Sequence, residues 1–532
     1  MESWDYVVVG AGSAGCVLAN RLSADGSARV LLVEAGPPDR NAWIHVPGGI
    51  FKLIHNPRVD WCFRTEPDAG VHGRSIAWPR GMVLGGSSSI NGLVYIRGQR
   101  EDYDDWRRLG NEGWSYADLL PYFRRSERQL RGADDFHGVD GELVVSDPVM
   151  RMEIVDAFIE AAEQAGVPRT RDFNGAKQEG VGYFQLTVDR GRRSSAATAF
   201  LRPARSRGNL KVVTGALVQG LDFDGTRVVG IRYEQAGASC AVRCEREVIL
   251  SAGAINSPHL LQLSGVGDPA DLQRAGIAVR HVLPAVGKNL QDHIQARAVF
   301  KTRRPITIND RTRSWLQRAL IGARYAARRD GPLSFAASLA GAFARARPEA
   351  DRPDVQFHFQ PLSLDSYDGA LHAFSGFTMS VCQLRPTSRG SLALRSPDPR
   401  AAPAIHANYL QTAEDCETMI AGVRLLRRIA HAPALAAQVA EEWKPGAGVK
   451  SDDEVLDYVR ATGSSIFHPS GTCGMGTAGT SVVDAQLRVH GLHGLRIADC
   501  SIMPTLVSGN TNAAAIMIGE RAADLVLGRA AA

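Results

Sequence analysis

Tyr6-Val7-Val8-Val9-Gly10-Ala11-Gly12-Ser13-Ala14-Gly15-Cys16-Val17-Leu18-Ala19-Asn20-Arg21-Leu22 passes from an apolar, β-branched run through three glycines into residues whose apolar members return at helical spacing. The order is strand, tight turn, helix. Gly10 permits the turn, Gly12 leaves no side chain between the backbone and a pyrophosphate, and Gly15 lets the helix pack close to the strand. Ser13 and Ala14 stand at the helix start, where backbone amides carry a partial positive charge. Arg29-Val30-Leu31-Leu32-Val33 reads as a second strand. Glu34 at its end, followed by Ala35, lies about twenty residues past the glycines, where a carboxylate accepts hydrogen bonds from a ribose. The pattern predicts a bound dinucleotide. It does not separate FAD from NAD, since both present the same pyrophosphate and ribose.

At 532 residues the chain exceeds one hydrophobic core, which implies two intimately joined domains. Hydrophobic residues at 44% and charged residues at 22% exclude wholesale disorder. The net charge of +5 is small for this length and no run of five like charges occurs, so nucleic-acid binding has no support. Met1-Glu2-Ser3-Trp4-Asp5 has neither the basic nor the apolar region of a signal peptide, and no apolar stretch reaches the about 18 residues that span a bilayer. Cytoplasmic residence is the expectation. Eight scattered cysteines without paired CxxC spacing read as reduced structural thiols, with no metal site. One basic segment stands apart: Arg311, Arg313, Arg318, Arg324, Arg328 and Arg329 are interleaved with Trp315, Leu316, Leu320, Ile321 and Tyr325 at helical spacing. It reads as a solvated helix face or as a surface that meets anionic lipid, which would make the protein peripheral to the inner membrane.

After Glu34 the chain is loop-rich until Trp78-Pro79-Arg80-Gly81-Met82-Val83-Leu84-Gly85-Gly86-Ser87-Ser88-Ser89-Ile90-Asn91-Gly92. Glycines and serines in a run suit close backbone approach and offer amide and hydroxyl donors to an electron-rich ligand edge. With Tyr95, Gly98 and Asp104, this stretch resembles the first signature of the glucose–methanol–choline (GMC) family of flavin oxidoreductases. Met82 departs from it, standing where a basic or polar residue is usual. Glu247 to Gly267 resembles the second signature at Gly253, Ala254, Ser257, Pro258, Leu260, Leu261, Ser264, Gly265, Val266 and Gly267. Val286 to His293 resembles a further family segment, in which Asp292 and His293 read as structural hydrogen-bonding residues.

The resemblance runs from residue 6 to 520 and, within the family, is nearest to bacterial dehydrogenases of aliphatic alcohols, choline and sorbose. It implies FAD as the dinucleotide. Besides Gly10, Gly12, Ser13, Ala14, Gly15, Glu34 and Ala35, the cofactor-binding positions it implies are Gly85, Gly86, Ser88, Asn91, Gly92, Val94, Val218, Ala252, Gly253, Asp499, Asn510 and Thr511. Ile90 occupies the position at which some members carry a histidine that tethers FAD, so the cofactor is expected to be non-covalent.

Other stretches set the domain order. A helix is predicted over 152–165, a strand over 180–188, a capped helix opening at 193–201 and a strand over 209–218. Beyond 299 the pattern changes: 353–360, 376–384 and 390–394 alternate apolar with polar residues, which predicts an antiparallel sheet with one covered face. This sheet is expected to roof the flavin, with Gln356, His358, Gln360 and Gln383 facing either substrate or water. The fold class is therefore α/β: a Rossmann-like FAD-binding domain built from 1–150, 192–298 and 466–532, and an antiparallel-sheet substrate domain built from 151–191 and 299–465.

Chemistry concentrates near the C-terminus. Phe467-His468-Pro469-Ser470-Gly471-Thr472 places a histidine before a proline, which biases its backbone away from helix and fixes where the imidazole points. Imidazole suits proton removal near neutral pH. The resemblance makes His468 the catalytic base and Asn512 the second catalytic residue, with Phe467, Gln356 and His358 in the substrate pocket. It implies oxidation of an uncharged primary alcohol to an aldehyde, by proton removal and hydride transfer to flavin N5, with electrons passing to a quinone or other carrier. Alternatives are an oxidase using molecular oxygen, a choline dehydrogenase, a hydroxynitrile lyase of the same fold and a non-catalytic flavoprotein. No motif here specifies an oligomeric state.

Overall fold

The computed structural model describes residues 2–335, 338–366 and 369–529. The outermost positions of the expected FAD-binding domain, 1 and 530–532, lie outside these. Strand Glu2–Val9 lies at the centre of a sheet, flanked in parallel by Val30–Glu34 and by the long strand Ala238–Leu250. Leu210–Thr214 adds a parallel edge beyond Val30–Glu34, and Leu495–Ile497 pairs in parallel with the end of the long strand. Arg227–Gln235 and Ala216–Asp224 continue the sheet as an antiparallel meander. Val30–Glu34 is buried throughout. That explains the unbroken apolar run: a parallel strand covered on both faces has no polar side to show.

Helix Ser13–Leu22 follows the first strand, as predicted. A Cβ on Gly15 would overlap the Gly10 carbonyl oxygen, so the last glycine of the turn is required for close packing, as its spacing implied. The C-terminal helix Asn512–Leu527 lies against it, and Gly519 makes that approach possible, since a Cβ there would stand 2.8 Å from the Ala14 carbonyl oxygen. The wholly buried Glu520 carboxylate ties the two helices together by accepting from Arg21 and Arg125. Deleting one partner of such a cluster costs about 3–5 kcal/mol, because a charge is left buried and unpaired.

The second sheet runs Val439–Lys444, Ile294–Thr302, Gly376–Gln383, Val355–Gln360, Ala340–Ala344 and Gly180–Tyr183, every pairing antiparallel. The antiparallel sheet was expected; a single covered face was expected too, but both faces are covered. Val355–Gln360 and Gly376–Gln383 are buried at every residue, because helices Glu153–Gln164 and Ala413–His431 lie on one face and the first domain closes the other. None of the four polar roof candidates therefore faces water.

Four further details differ from expectation. Ser391–Ala393 forms a separate ribbon with Ala404–His406 outside the main sheet. The run 180–188 splits into Gly180–Tyr183 and Val188–Asp189, the latter in a hairpin with Arg192–Arg193. The expected helix after 193 is a single wide turn, Ala197–Leu201, continued by Arg202–Ala204. Strand Ile294–Thr302 also runs through the expected domain junction at 298–299.

Candidate active site

A single cavity extends from the first glycine turn to the second sheet. Gly10, Gly12, Ser13, Ala14, Glu34, Ala35, Gly86, Asn91, Gly92, Val94, Val218, Ala252, Gly253, Asp499, Asn510, Thr511 and Asn512 all line it, with Phe467, His468 and His358. Most residues inferred from sequence thus converge from segments hundreds of positions apart. Four do not line it. Gly15 and Gly85 shape turns, Gly85 with φ of +91°. Ser88 donates to the Gly85 carbonyl at 2.6 Å and accepts from the Ala196 amide at 2.9 Å, which makes it a brace for the loop rather than a cofactor contact. Gln356 is buried behind Asn510 and donates to its Oδ1 at 3.0 Å.

The cofactor end fits a flavin dinucleotide. Helices starting at Ser13 and Asn512 begin without a side-chain cap and without an acidic residue in the first turn, so their amides stay available to an anion at the cleft. A third helix points its start, Gly253, into the same cavity, where Asp499 accepts from the Gly253 amide at 2.9 Å and from Ser257 Oγ at 2.6 Å. Glu34 accepts from the amides of Ala11 and Gly36, each at 2.8 Å, and burial raises its pKa to about 7. Each carboxylate oxygen can take a second donor, such as a ribose hydroxyl. Ile90 offers only an alkyl group where a tether would attach.

At the other end His468 is held from several directions. Phe467 sits at φ of +70°, a conformation costing about 1–2 kcal/mol for a residue with a Cβ. Arg80 donates to the Phe467 carbonyl at 2.6 Å and Ser465 Oγ accepts from the Phe467 amide at 2.7 Å, which hold that turn. Asp292 Oδ1 accepts from the His468 amide at 2.7 Å, while its Oδ2 accepts from Ser465 Oγ at 2.5 Å and from the Tyr409 hydroxyl. Burial raises the Asp292 pKa to about 6 against those bonds. The structural role read for Asp292 and His293 is the one the geometry gives them.

The imidazole itself belongs to a directional chain. His293 Nε2 lies 2.9 Å from the Leu384 carbonyl oxygen, which can only accept, so Nε2 carries the proton and Nδ1 is an acceptor. His293 Nδ1 stands 3.0 Å from His468 Nδ1, which must therefore donate. His468 Nε2 is left with its lone pair, 3.3 Å from Asn510 Nδ2. Burial first, and then the positive charge of Arg80 and the neighbouring His293 and His358 rings, which disfavour a further proton, hold the His468 pKa well below its usual value, so the ring is neutral.

The second asparagine is not the one expected. Asn510 meets His468, whereas Asn512 accepts from Ser13 Oγ at 2.7 Å at the start of the first helix. The two side chains thus exchange the places read from sequence: Asn510 stands beside the His468 ring and Asn512 at the start of the first helix. Gly509, at φ of +146°, ends the extended approach just before the helix, and two residues there separate the sides of the cleft. Residues that the sequence reading missed also line the cavity: Arg80, Gln295, Ser338, and the stacked pair Trp61 and Phe63, 5.6 Å apart. Trp-Pro-Arg was visible in the sequence as a phrase, but only the fold brings Arg80 to the base.

Family models described as GMC oxidoreductase match residues 4–295 and 386–519. An alcohol dehydrogenase (acceptor) of Pseudomonas putida is 45% identical over 530 residues, covering 98% of this chain and 96% of that protein. A mitochondrial choline dehydrogenase of Homo sapiens is 45% identical over 539 residues, covering 100% of this chain and 91% of that one. A crystal structure of pyridoxine 4-oxidase from Mesorbium loti superposes with a TM-score of 0.89 at 33% identity, over 98% of both chains.

Proposed function

Because the chain belongs to the GMC oxidoreductase family, we propose that it oxidises an uncharged primary alcohol to the aldehyde with His468 as base and Asn510 as its partner. It is an FAD-dependent enzyme acting on CH–OH groups. FAD, when bound, supplies the two-electron acceptor for the carbinol carbon. The chain's residues do the rest. His468 Nε2 accepts the hydroxyl proton, and Asn510 Nδ2 donates to the oxygen as its negative charge grows. His293 keeps the reactive lone pair on Nε2, and Gln356 keeps the Asn510 amide turned toward the base.

The observation that carries this reading is the one-way chain Leu384–His293–His468, which leaves a neutral acceptor nitrogen aimed beside an amide donor. An uncharged substrate is favoured over choline by the surroundings. The carboxylates lining the cavity, Glu34 and Asp499, are engaged by amides at the cofactor end, while Arg80 brings positive charge to the base and His358 is held neutral with its pKa near 3 by burial. A quaternary ammonium needs an aromatic cage and a counter-charge. Trp61 and Phe63 keep choline as a second reading. Electron transfer to a quinone or other carrier, and residence in the cytoplasm, belong to the same proposal. Among the described residues no helix is long and apolar enough to cross a membrane.

Anaerobic addition of alcohols or choline, followed by the visible absorbance of oxidised flavin, tests the reaction. Bleaching by a neutral primary alcohol is the expected outcome. Release of cyanide from a cyanohydrin without bleaching would mean a lyase, and no change with any of them a non-catalytic flavoprotein. His468→Ala should keep FAD and lose about 10²–10⁴-fold in the rate of flavin reduction; near-normal reduction would remove His468 from the chemistry.

A further inference from the structure

Helix Trp315–Arg328 buries a single residue of its fourteen, Tyr325, whose hydroxyl donates to the Gly191 carbonyl at 2.8 Å. A helix this short is marginal by itself in water, and docking of its apolar face normally stabilises it. Here that face is turned outward. Trp315, Leu316, Ala319, Leu320 and Ala323 share one side by the 3.6-residue period and all are exposed, Trp315 at 78%, Leu316 at 54% and Leu320 at 62%. Six arginines surround them, and no acidic residue occurs between Arg311 and Arg329. Asp310 pairs with Arg313 at 2.8 Å and Asp330 with Arg324 at 2.6 Å, so those acids, at the two ends, leave Arg311, Arg318, Arg328 and Arg329 in excess.

We propose that this helix seats in the interfacial layer of an anionic lipid bilayer, with Trp315, Leu316 and Leu320 among the acyl chains and the flanking arginines on the headgroups. Charge complementarity selects this occupant. A second copy of the chain docking face to face would set the arginine cluster against itself. The footprint is also small: fourteen residues make a helix about 21 Å long and about 10 Å across, well short of the about 800 Å² that each partner buries in a stable pair. An amphipathic helix with tryptophan and leucine on one side and arginine around them matches the composition of segments that lie in the membrane interface.

Docking there would bring the catalytic cavity to the bilayer. Leu333, five residues past the helix end, accepts from the Gly48 amide at 3.0 Å, and the next helix, Ile50–Leu53, starts with Ile50 lining the cavity. Ser338 lines the same cavity from the other side of the connection. A lipophilic alcohol or electron acceptor dissolved in the membrane would then reach the mouth without crossing bulk water.

The test is co-sedimentation of the FAD-loaded enzyme with vesicles of phosphatidylcholine alone and of phosphatidylcholine mixed with phosphatidylglycerol. Binding to the anionic vesicles at least tenfold tighter than to the neutral ones is expected, weakened by salt. Trp315→Ser/Leu316→Ser/Leu320→Ser and Arg311→Gln/Arg318→Gln/Arg328→Gln should each reduce it at least tenfold while turnover of a water-soluble alcohol is unchanged. Trp315→Phe should remove most of a lipid-induced blue shift in tryptophan emission. Equal partitioning of wild type and both triple variants overturns the proposal. So does a dimer in sedimentation velocity that the apolar triple variant dissociates without any vesicle binding by the wild type, which would assign the face to a second copy.

Discussion

At the level of single residues, the placing of the His468 ring in the cleft was legible and the amide that meets it was not. His468 could be read because a proline, a turn and a glycine-rich segment in one short run constrain where its side chain points. Gly509-Asn510-Thr511-Asn512 offers two asparagines two positions apart, and nothing local says which one reaches the base. The turn before the helix decides it, and that turn is set by tertiary packing. The distinction is measurable. Asn510→Ala removes a donor to the developing alkoxide and should lower turnover per bound flavin by about 10²-fold, with the flavin-to-protein ratio intact. Asn512→Ala breaks the Ser13 link and should lower flavin retention, with turnover per bound flavin within about tenfold of wild type. The reverse pattern would restore the assignment made from sequence. Gln356 and Ser88 teach the same lesson: an alternating strand or a serine run announces buried polar groups, but whether a group meets ligand or braces a neighbour depends on what packs behind it.

At the level of elements, the first glycine turn was read correctly as strand, turn and helix, with Gly10 at a positive φ and Gly15 packed against it, because backbone geometry leaves few residues able to do those jobs. The second glycine loop adds a constraint that sequence did not reveal. Gly86 stands at φ of +52°, and a Cβ there would lie 2.7 Å from Gly12 Cα, so the two loops touch backbone to backbone. Gly86→Ala should strain the turn by about 1–2 kcal/mol before any clash and push the loop off the nucleotide site, weakening FAD binding about tenfold or more. Equilibrium dialysis of flavin gives the affinity, and unchanged far-ultraviolet circular dichroism would show that the rest still folds; wild-type affinity would mean that the loop contact is not needed. The second sheet was legible as strands but not as a layer. Period-two alternation left these polar residues facing either substrate or water, yet Gln356, His358, Gln360 and Gln383 are all buried and only His358 and Gln360 line the cavity, because helix Ala413–His431 covers one face and the first domain the other. A functional site imitates a solvated surface in sequence.

At the level of the whole molecule, the site depends on three returns of the chain to one cleft, and it concentrates neutral histidines there. Burial lowers the pKa of His259 to about 4, of His293 to about 4 and of His358 to about 3, and holds His468 well below its usual value. In the unfolded chain each binds a proton as pH falls through about 6.5, so their contribution is complete above that value and is lost progressively below it. Four carboxyls act in the opposite sense. Burial raises Glu34 to about 7 and Asp292 to about 6, and lifts Asp102 and Asp499 above the usual aspartate value, so the fold takes up their protons first and the cost of burying these carboxylates is relieved on acidification. His137 is resisted by burial but raised to about 9 by Asp172 and Glu127, so it is charged in both states across this window; its contribution is present below about 6.5 and lost as pH rises through about 9. The four histidines titrate fully in the unfolded chain across this window and outweigh the carboxyls. Unfolding between pH 6 and 5 should therefore take up at most about two protons, which is a loss of stability on the order of 1–3 kcal/mol for each pH unit of acidification. Thermal melts from neutral pH to pH 5 should show a falling Tm, and replacing the buried His259 with leucine should flatten the dependence by about a quarter to a half. A Tm that holds or rises on acidification would mean that these rings are not buried as neutral groups, and would withdraw the neutral acceptor nitrogen on which the proton-removal step depends.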